Sequence, residues 1–335
     1  MKENELATEY YPLIKLLASG QFCSGEFLGS QLGISRAAIW KKIKKLESFG
    51  LHYESLKGKG YRIPGGLNLL DKKQLEQIVN EDLASGSVEL DLRLQVNSTN
   101  TIALEMSEQA VPSGYVCLAE QQLAGRGRLG RTWVSPFARN IYLSMLWRFP
   151  AGAGSLDGLS LVVGLAVVRT LKRCGLDGVG LKWPNDVLVL DKKIAGILLE
   201  MQGDATGACS VVIGVGLNVT MPAAASEQIT QPWTDIGSHL DKVDRNKVVG
   251  YLITEIYNAL ATFQREGFSS SKQEWERHDT FRGQAVSVYL GDQLVNGVAD
   301  GISERGEFRL KVGESTHVFS GGEVTIRRDT NEIIA

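Results

Sequence analysis

Three arginines, Arg126, Arg128 and Arg131, fall within six residues of one glycine-rich stretch, Gly125-Arg126-Gly127-Arg128-Leu129-Gly130-Arg131. Like charges this close repel, so their grouping points to an anionic ligand that neutralises them, and guanidinium forks match carboxylate or phosphate. The plainer alternative is a surface loop with solvated arginines. The stretch also matches G-x-G-x-x-G, and YVCLAE before it reads as the strand a dinucleotide site requires. That reading fails its context. Thr132-Trp133-Val134-Ser135-Pro136 does not begin a helix, and the acidic residue due about twenty positions on is missing from LWRFP. Lys182-Trp183-Pro184-Asn185-Asp186 adds a lysine, an amide and a carboxylate, and Lys193 adds a further cation. The four cysteines (Cys23, Cys117, Cys174, Cys209) and four histidines are scattered, with no C-x-x-C pair. A disulfide scaffold and a zinc site are both disfavoured.

The elements that must position these groups are legible as short apolar strands alternating with helices between residue 65 and about 268. VELDLRLQV, YVCLAE, NIYLSMLWRF, DVLVL, KIAGILLEM and SVVIGVGLNV read as strands. TIALEMSEQA, SLVVGLAVVRTLKR and the stripe Val249, Leu252, Ile256, Leu260, Phe263 read as helices. One main sheet follows. Beyond Arg282, AVSVYL, GVADGI, EFRLKV, THVFS and EVTIRR, with Gly291-Asp292 at the first turn, suggest a small barrel.

The charge is uneven. The chain of 335 residues carries −2 overall, yet residues 1–62 hold ten Lys/Arg against six Glu, a net +4. Within that segment Phe27, Leu28 and Leu32 give a short helical stripe, Gly33 a turn, and Ser35 a cap for a second helix. Ile39, Ile43 and Leu46 bury one face of that helix and turn Arg36, Lys41, Lys42, Lys44 and Lys45 outward. LHYESL and YRI flank Lys57-Gly58-Lys59-Gly60 as a two-stranded wing. Helix, turn, basic helix and basic wing form a winged helix-turn-helix, in which lysines meet phosphates while Ser35, Arg36 and Ala37 reach base edges. One such helix reads few base pairs, so a DNA-binding form should be a dimer on a two-part site. Pro64-Gly65-Gly66 reads as a linker. With 43% hydrophobic and 22% charged residues the chain is an ordinary globular one. Its longest uncharged apolar stretch, Gly158 to Val168, is far short of the roughly 20 residues of a membrane span. No membrane association and a reducing cytoplasm are expected.

Asn97-Ser98-Thr99-Asn100, the loop from Gly125 to Trp133, Lys182 to Asp186, Lys193-Ile194-Ala195-Gly196-Ile197-Leu198-Leu199-Glu200 and Gly214-Val215-Gly216-Leu217-Asn218 follow one another along the chain. Their order and spacing resemble the family of bifunctional biotin protein ligases and biotin operon repressors, over essentially the whole chain. The resemblance implies an α+β multidomain protein. Its parts would be a winged helix-turn-helix over 1–64, an α/β ligase domain with one main mixed sheet over 65–275, and an SH3-like β-barrel over 276–335. It implies that biotin and ATP form biotinyl-5′-adenylate, and that biotin then passes to a lysine of a biotin carboxyl carrier protein. It also implies an adenylate-bound homodimer on biotin operator DNA. By motif position, Arg128 and Lys193 face the biotin carboxylate and α-phosphate, Lys182 faces the phosphates, and Asn185 and Asp186 hold or order Mg²⁺. Ser98, Thr99, Asn100 and Gln122 would bond the ureido ring, with Arg126, Gly127 and Gly196 also on the biotin side. Arg126, Arg131, Trp133, Lys182, Asn185 and Asn218 would hold the adenylate.

Each residue also has an ordinary structural reading. Ser98 and Thr99 could cap a helix, Trp133 could be core and Asn218 a turn residue. Asp186 could only pair with Lys182, and Lys193 could be solvated in a hairpin. Asn97 stands where many relatives carry Asp, and Leu129 interrupts the usual basic run of the loop, which should weaken its hold on the adenylate. Competing functions are a biotin sensor without catalysis, a ligase for another acid such as lipoate, and a ligase with a vestigial DNA module.

Overall fold

The computed structural model of the chain describes residues 2–109, 111–150, 152, 156–203, 207–290, 293–321 and 324–328. The N-terminal module comprises α1 (Lys2–Leu17), α2 (Gly25–Leu32), α3 (Arg36–Lys45) and a wing of β1 (Glu54–Leu56) paired antiparallel with β2 (Gly60–Arg62). Ser24 and Ser35 cap α2 and α3, their hydroxyls accepting from the Phe27 and Ala38 amides, and Gly33 takes the left-handed turn between them at φ 66°. Leu28, Ile39, Ile43 and Leu46 pack on Leu13, Ile14 and Leu17 of α1.

Two expectations are corrected here. Phe27 is 46% exposed, because α2 turns Leu28 and Gly29 inward instead. Lys42 does not point outward with the other lysines: it pairs with Glu9 at 2.5 Å and lies 4.4 Å from the centre of the Tyr10 ring. Helix α1, which no reading of the charge pattern anticipated, supplies that carboxylate and ring.

The body continues through α4 (Lys72–Asp82), β3 (Glu89–Val96), α5 (Thr99–Glu108), β4 (Tyr115–Gln122), β5 (Ile141–Phe149), α6 (Leu159–Arg173), β6 (Val179–Lys182) and β7 (Asp186–Val189). It is completed by β8 (Lys192–Gly203), β9 (Cys209–Leu217), α7 (Ala223–Ser226), α8 (Arg245–Glu266) and α9 (Ser269–His278). Among the described residues one mixed sheet runs β3-β4-β5-β9-β8-β7-β6, with β3 and β4 parallel and every other neighbour antiparallel. Strand periodicity divides its faces. On β9, Val211, Ile213, Val215 and Leu217 enter the main core with α6 and α8, whereas Val212 packs with Ala103 of α5. Gly214 and Gly216 share the α5 side.

The C-terminal β domain comprises β10 (Ala285–Leu290), β11 (Gln293–Ile302), β12 (Phe308–Val312), β13 (Ser315–Phe319) and β14 (Val324–Arg328), in the order β13-β12-β11-β10-β14. The five expected strands are all present. Gly291 and Asp292 lie outside the described residues.

Module and body are packed together rather than loosely joined. Phe49 meets Phe137 edge-on, ring centres 6.0 Å apart, and the Leu67 amide donates to Ala18 O at 2.8 Å. Gly66 of the expected linker is buried. Just beyond it, the Leu70 amide donates to Glu120 Oε1 at 2.7 Å. Arg245 reaches Asn68 O at 2.6 Å and forms a fully buried ion pair with Glu120.

Candidate active site

On the α5 side of the sheet lies a cleft of about 750 Å³, ample for a small ligand. Strand register builds its floor. Asp186 faces Gly196, Gly196 faces Gly216 and Gly216 faces Tyr142, while the next row is Leu198, Gly214 and Ser144. Backbone forms the floor where side chains would block it. A Cβ on Gly214 would stand 2.2 Å from Asn100 Oδ1, and one on Gly216 2.3 Å from the Trp133 ring.

One end is polar and uncharged. Ser98 stands at the N-cap of α5 without using its hydroxyl as a cap, which leaves that group facing the cleft it lines. The amide and hydroxyl of Thr99 donate to Gln122 Oε1 at 2.9 and 3.1 Å, and Gln122 Nε2 donates to Ser135 at 3.2 Å. Ser144 Oγ lies 2.7 Å from Thr99 Oγ1 and 2.5 Å from Asn100 Oδ1. Asn100 Nδ2 donates to Glu200 at 2.6 Å. Such a chain fixes each amide's orientation and presents directional partners to a neutral polar group.

The other end is cationic. Arg128, Arg131, Lys182, Lys193 and Arg327 converge there, where Asp186 supplies the one lining carboxylate among the described residues. Lys193 pairs with Asp186 at 2.6 Å, placed by the β7–β8 hairpin whose turn residues Leu190 and Asp191 both take positive φ, 48° and 61°. Burial holds the Lys182 ammonium below the usual 10.5; Asp186 opposes that shift, and Lys193, Arg131 and Arg327 add to it. Burial likewise lowers the Arg128 guanidinium, which donates to Asn185 Oδ1 at 3.2 Å. Both atoms of that amide are engaged, since Asn185 Nδ2 donates to Ile197 O at 2.8 Å. Charges desolvated in this way act strongly on an anion entering among them.

The arginine loop makes only one 3-10 turn, Arg128–Gly130, with Leu129 exposed at φ 55°, and no helix follows it. Arg126 does not join the cationic end: it is latched to Glu200, 3.1 Å to each oxygen, and to Thr101 at 2.9 Å. Gly127 and Arg131 close the loop through a 2.7 Å backbone bond. Trp133 lies over Gly196 and Gly216, with Lys193 Nζ 5.5 Å from its ring. Its indole N–H is buried without an acceptor among the described residues, a donor that a ligand would satisfy. Asn218 is buried in the wall, its amide donating to Thr234 O at 3.0 Å.

Among the lining or bracing residues that sequence reasoning missed are Ser144, Glu200 and Arg327. Ser144 was signalled by a lone hydroxyl within an apolar strand. Glu200 was signalled by strand alternation from Gly196 through Leu198. Arg327, on β14, comes from the C-terminal domain and carries no local signal at all. Among the described residues no histidine or cysteine lines the cleft, and no group of three or more His, Cys, Asp or Glu could hold a metal. The arrangement suits joining two anionic reactants, one of them bearing a neutral polar head.

Comparison with known proteins agrees. Residues 12–62 match an HTH domain, residues 92–218 the biotin/lipoate A/B protein ligase family and residues 281–327 the biotin protein ligase C-terminal domain. The bifunctional ligase/repressor BirA of Escherichia coli is 39% identical, covering 98% of this chain and 99% of the relative. The biotin--[acetyl-CoA-carboxylase] ligase of Mycobacterium tuberculosis is 34% identical over 76% of this chain and 95% of its own. The structure of Aquifex aeolicus biotin protein ligase in complex with biotin and ATP superposes with a TM-score of 0.62, at 29% identity, over 72% of this chain and 99% of that one. A full-length relative at this identity, with all three regions matched in order, establishes that the chain belongs to the family of bifunctional biotin protein ligases and repressors.

Proposed function

We propose that this protein activates biotin with ATP and transfers it to the lysine of a biotin carboxyl carrier protein, and that the adenylate-bound form dimerises on operator DNA. The observation that carries the reading is a single cleft with an ordered neutral polar wall at one end and clustered cations at the other, of which Arg128, Lys182 and Lys193 are half-buried. The ureido ring of biotin seats among Ser98, Thr99, Asn100 and Gln122, which fixes the direction of the carboxylate. That carboxylate attacks the α-phosphorus of ATP; the bond to the bridging oxygen breaks and pyrophosphate leaves. Two unit charges at ~4 Å repel by about 1 to 4 kcal/mol, depending on solvent exposure. Arg128, Lys182 and Lys193 remove that barrier and stabilise the charge that develops on the α-phosphate. The mixed anhydride is itself the acyl donor, so the carrier amine can attack its carbonyl and release AMP without a covalent enzyme intermediate. Trp133 offers its face and its unsatisfied N–H to the adenylate.

The donor set fits Mg²⁺ carried on the triphosphate. Mg²⁺ typically takes one or two protein carboxylates beside substrate phosphates; Asp186 is such a carboxylate, whereas Asn185 is already engaged on both sides. Bound there, the ion would neutralise phosphate charge, with Asp186 holding it and Lys182 and Lys193 facing the phosphates. No helix among the described residues is long and apolar enough to cross a membrane. The four cysteines are scattered along the chain with no C-x-x-C pair, which suits a reducing compartment, and we place the protein in the cytoplasm.

Gly214→Ala would drive its methyl into the Asn100 amide, so biotin affinity should fall roughly 5- to 150-fold, the loss of one buried hydrogen-bonded group. Calorimetric titration with biotin checks this, and unchanged affinity would remove Asn100 from the head pocket. Lys182 should lose its proton before an ordinary lysine does as pH rises. The rate of adenylate formation should therefore decline on an alkaline limb that Lys182→Arg shifts upward, relative to each protein's own neutral rate. Coincident limbs would detach Lys182 from the phosphates. Sedimentation should show a larger dimer fraction with biotin and ATP than without; an unchanged monomer fraction contradicts the regulatory half of this reading. Incubation with biotin, ATP and a carrier domain should yield a biotinylated carrier, and a carrier left unmodified despite adenylate formation would refute transfer.

A further inference from the structure

Trp40 is the one large apolar side chain on the outer face of α3, where it is 48% exposed, and among the described residues it joins no hydrophobic cluster. With Ile39 and Ile43 buried below, residues 37, 40, 41 and 44 form the helix's solvent stripe at i, i+3, i+4 and i+7. Lys42, which charge alone would have placed with them, is withdrawn toward α1. What remains outward is an apolar centre, Ala37 and Trp40, bordered by Lys41 and Lys44, with Lys44 Nζ 3.9 Å from the centre of the indole ring. An indole left in water on a helix face is an unused apolar surface. The basic border fits a polyanion, and a helix with this stripe outward enters a major groove with the stripe against base edges.

We propose that Trp40 is a sequence-reading residue, packing with Ala37 against thymine 5-methyl groups in the major groove of operator DNA while Lys44, held on the same ring, bonds a neighbouring phosphate. This rests on the DNA-binding reading given above. Apolar side chains discriminate thymine through its methyl group, which cytosine and deoxyuridine lack. The indole thus supplies selectivity, and the lysines around it supply affinity that is blind to sequence.

The test uses the full chain with biotin, ATP and Mg²⁺, and duplexes enriched by it from a random pool. Replacing each enriched thymine by deoxyuridine removes only the methyl. At one or two positions per half-site wild-type affinity should fall about fourfold, the equivalent of ~0.8 kcal/mol for one buried carbon. Trp40→Ala, with an unchanged thermal midpoint, should bind thymine and uracil duplexes equally, whereas Lys45→Ala should weaken all duplexes alike and flatten the salt dependence. Retention of the thymine preference by Trp40→Ala overturns the proposal. So does equal weakening of every duplex by that substitution, or a loss of self-association with DNA preference intact, which would make the indole a contact between copies. Absence of any duplex binding by the wild-type chain refutes the DNA-binding reading itself, and the proposal with it.

Discussion

Arg128→Ala lowers biotin-dependent ATP–pyrophosphate exchange by about 10²- to 10³-fold, the usual cost of removing one preorganised charge donor from a developing anion, while the fold persists. The expectation follows from its position. Arg128 is held at 3.2 Å by Asn185, itself fixed to the backbone of Ile197, so the guanidinium is aimed before any ligand arrives. Burial lowers its pKa, the mark of a charge removed from water, and such a charge acts through a lower effective dielectric. Arg126→Ala provides the contrast. Its guanidinium is engaged by Glu200 and Thr101, so its loss should loosen the loop and speed adenylate release more than it slows formation. Near-normal exchange and adenylate retention in Arg128→Ala would remove that side chain from the chemistry.

Glu120→Ala is expected to destabilise the chain by ~3–5 kcal/mol, the cost of leaving one member of a buried pair uncompensated. At the usual slope for a domain of this size, the thermal midpoint falls by about 6–20 °C. Glu120 and Arg245 are each 1% exposed at the side chain. The carboxylate also accepts from the Leu70 amide, and Arg245 donates to Asn68 O. One pair therefore ties β4, the first turn of α8 and the segment leaving the DNA-binding module. Gln122, two residues on from Glu120, holds Thr99 in the head pocket, so the same loss should loosen biotin binding as well as the seating of the module. Replacing both partners by leucine should recover part of the stability, since no unpaired charge then remains while the Leu70 amide and the Asn68 carbonyl lose these partners. Thermal unfolding of the three proteins measures this, and a midpoint for Glu120→Ala within a degree or two of wild type would contradict it.

Strand periodicity makes the sheet legible in the sequence. SVVIGVGLNV, legible as a strand, folds as β9 with Val211, Ile213 and Val215 in the main core and Gly214 and Gly216 on the opposite face. Caps were equally visible, with Ser35 doing at α3 what its position ahead of an apolar stripe required. Other features depend on partners distant in the chain, and no local pattern encodes those. Lys42 turns inward because Glu9 lies across from it. Arg126 sits apart from the cationic end because Glu200, 74 positions away, engages it. Arg327 enters the cleft only once the C-terminal domain is docked. The motif residues therefore line one cleft, while the separate placement of Arg126 and Arg128 within it depends on tertiary contacts.

The most direct test of the ligase chemistry is ATP–pyrophosphate exchange by the full chain with Mg²⁺ and biotin, with lipoate as the control acid. Exchange that requires biotin and is not supported by lipoate is the predicted result. No exchange with biotin from folded protein, or equal exchange with lipoate, would contradict it, leaving in the first case a biotin sensor without catalysis and in the second a ligase of broader acid specificity.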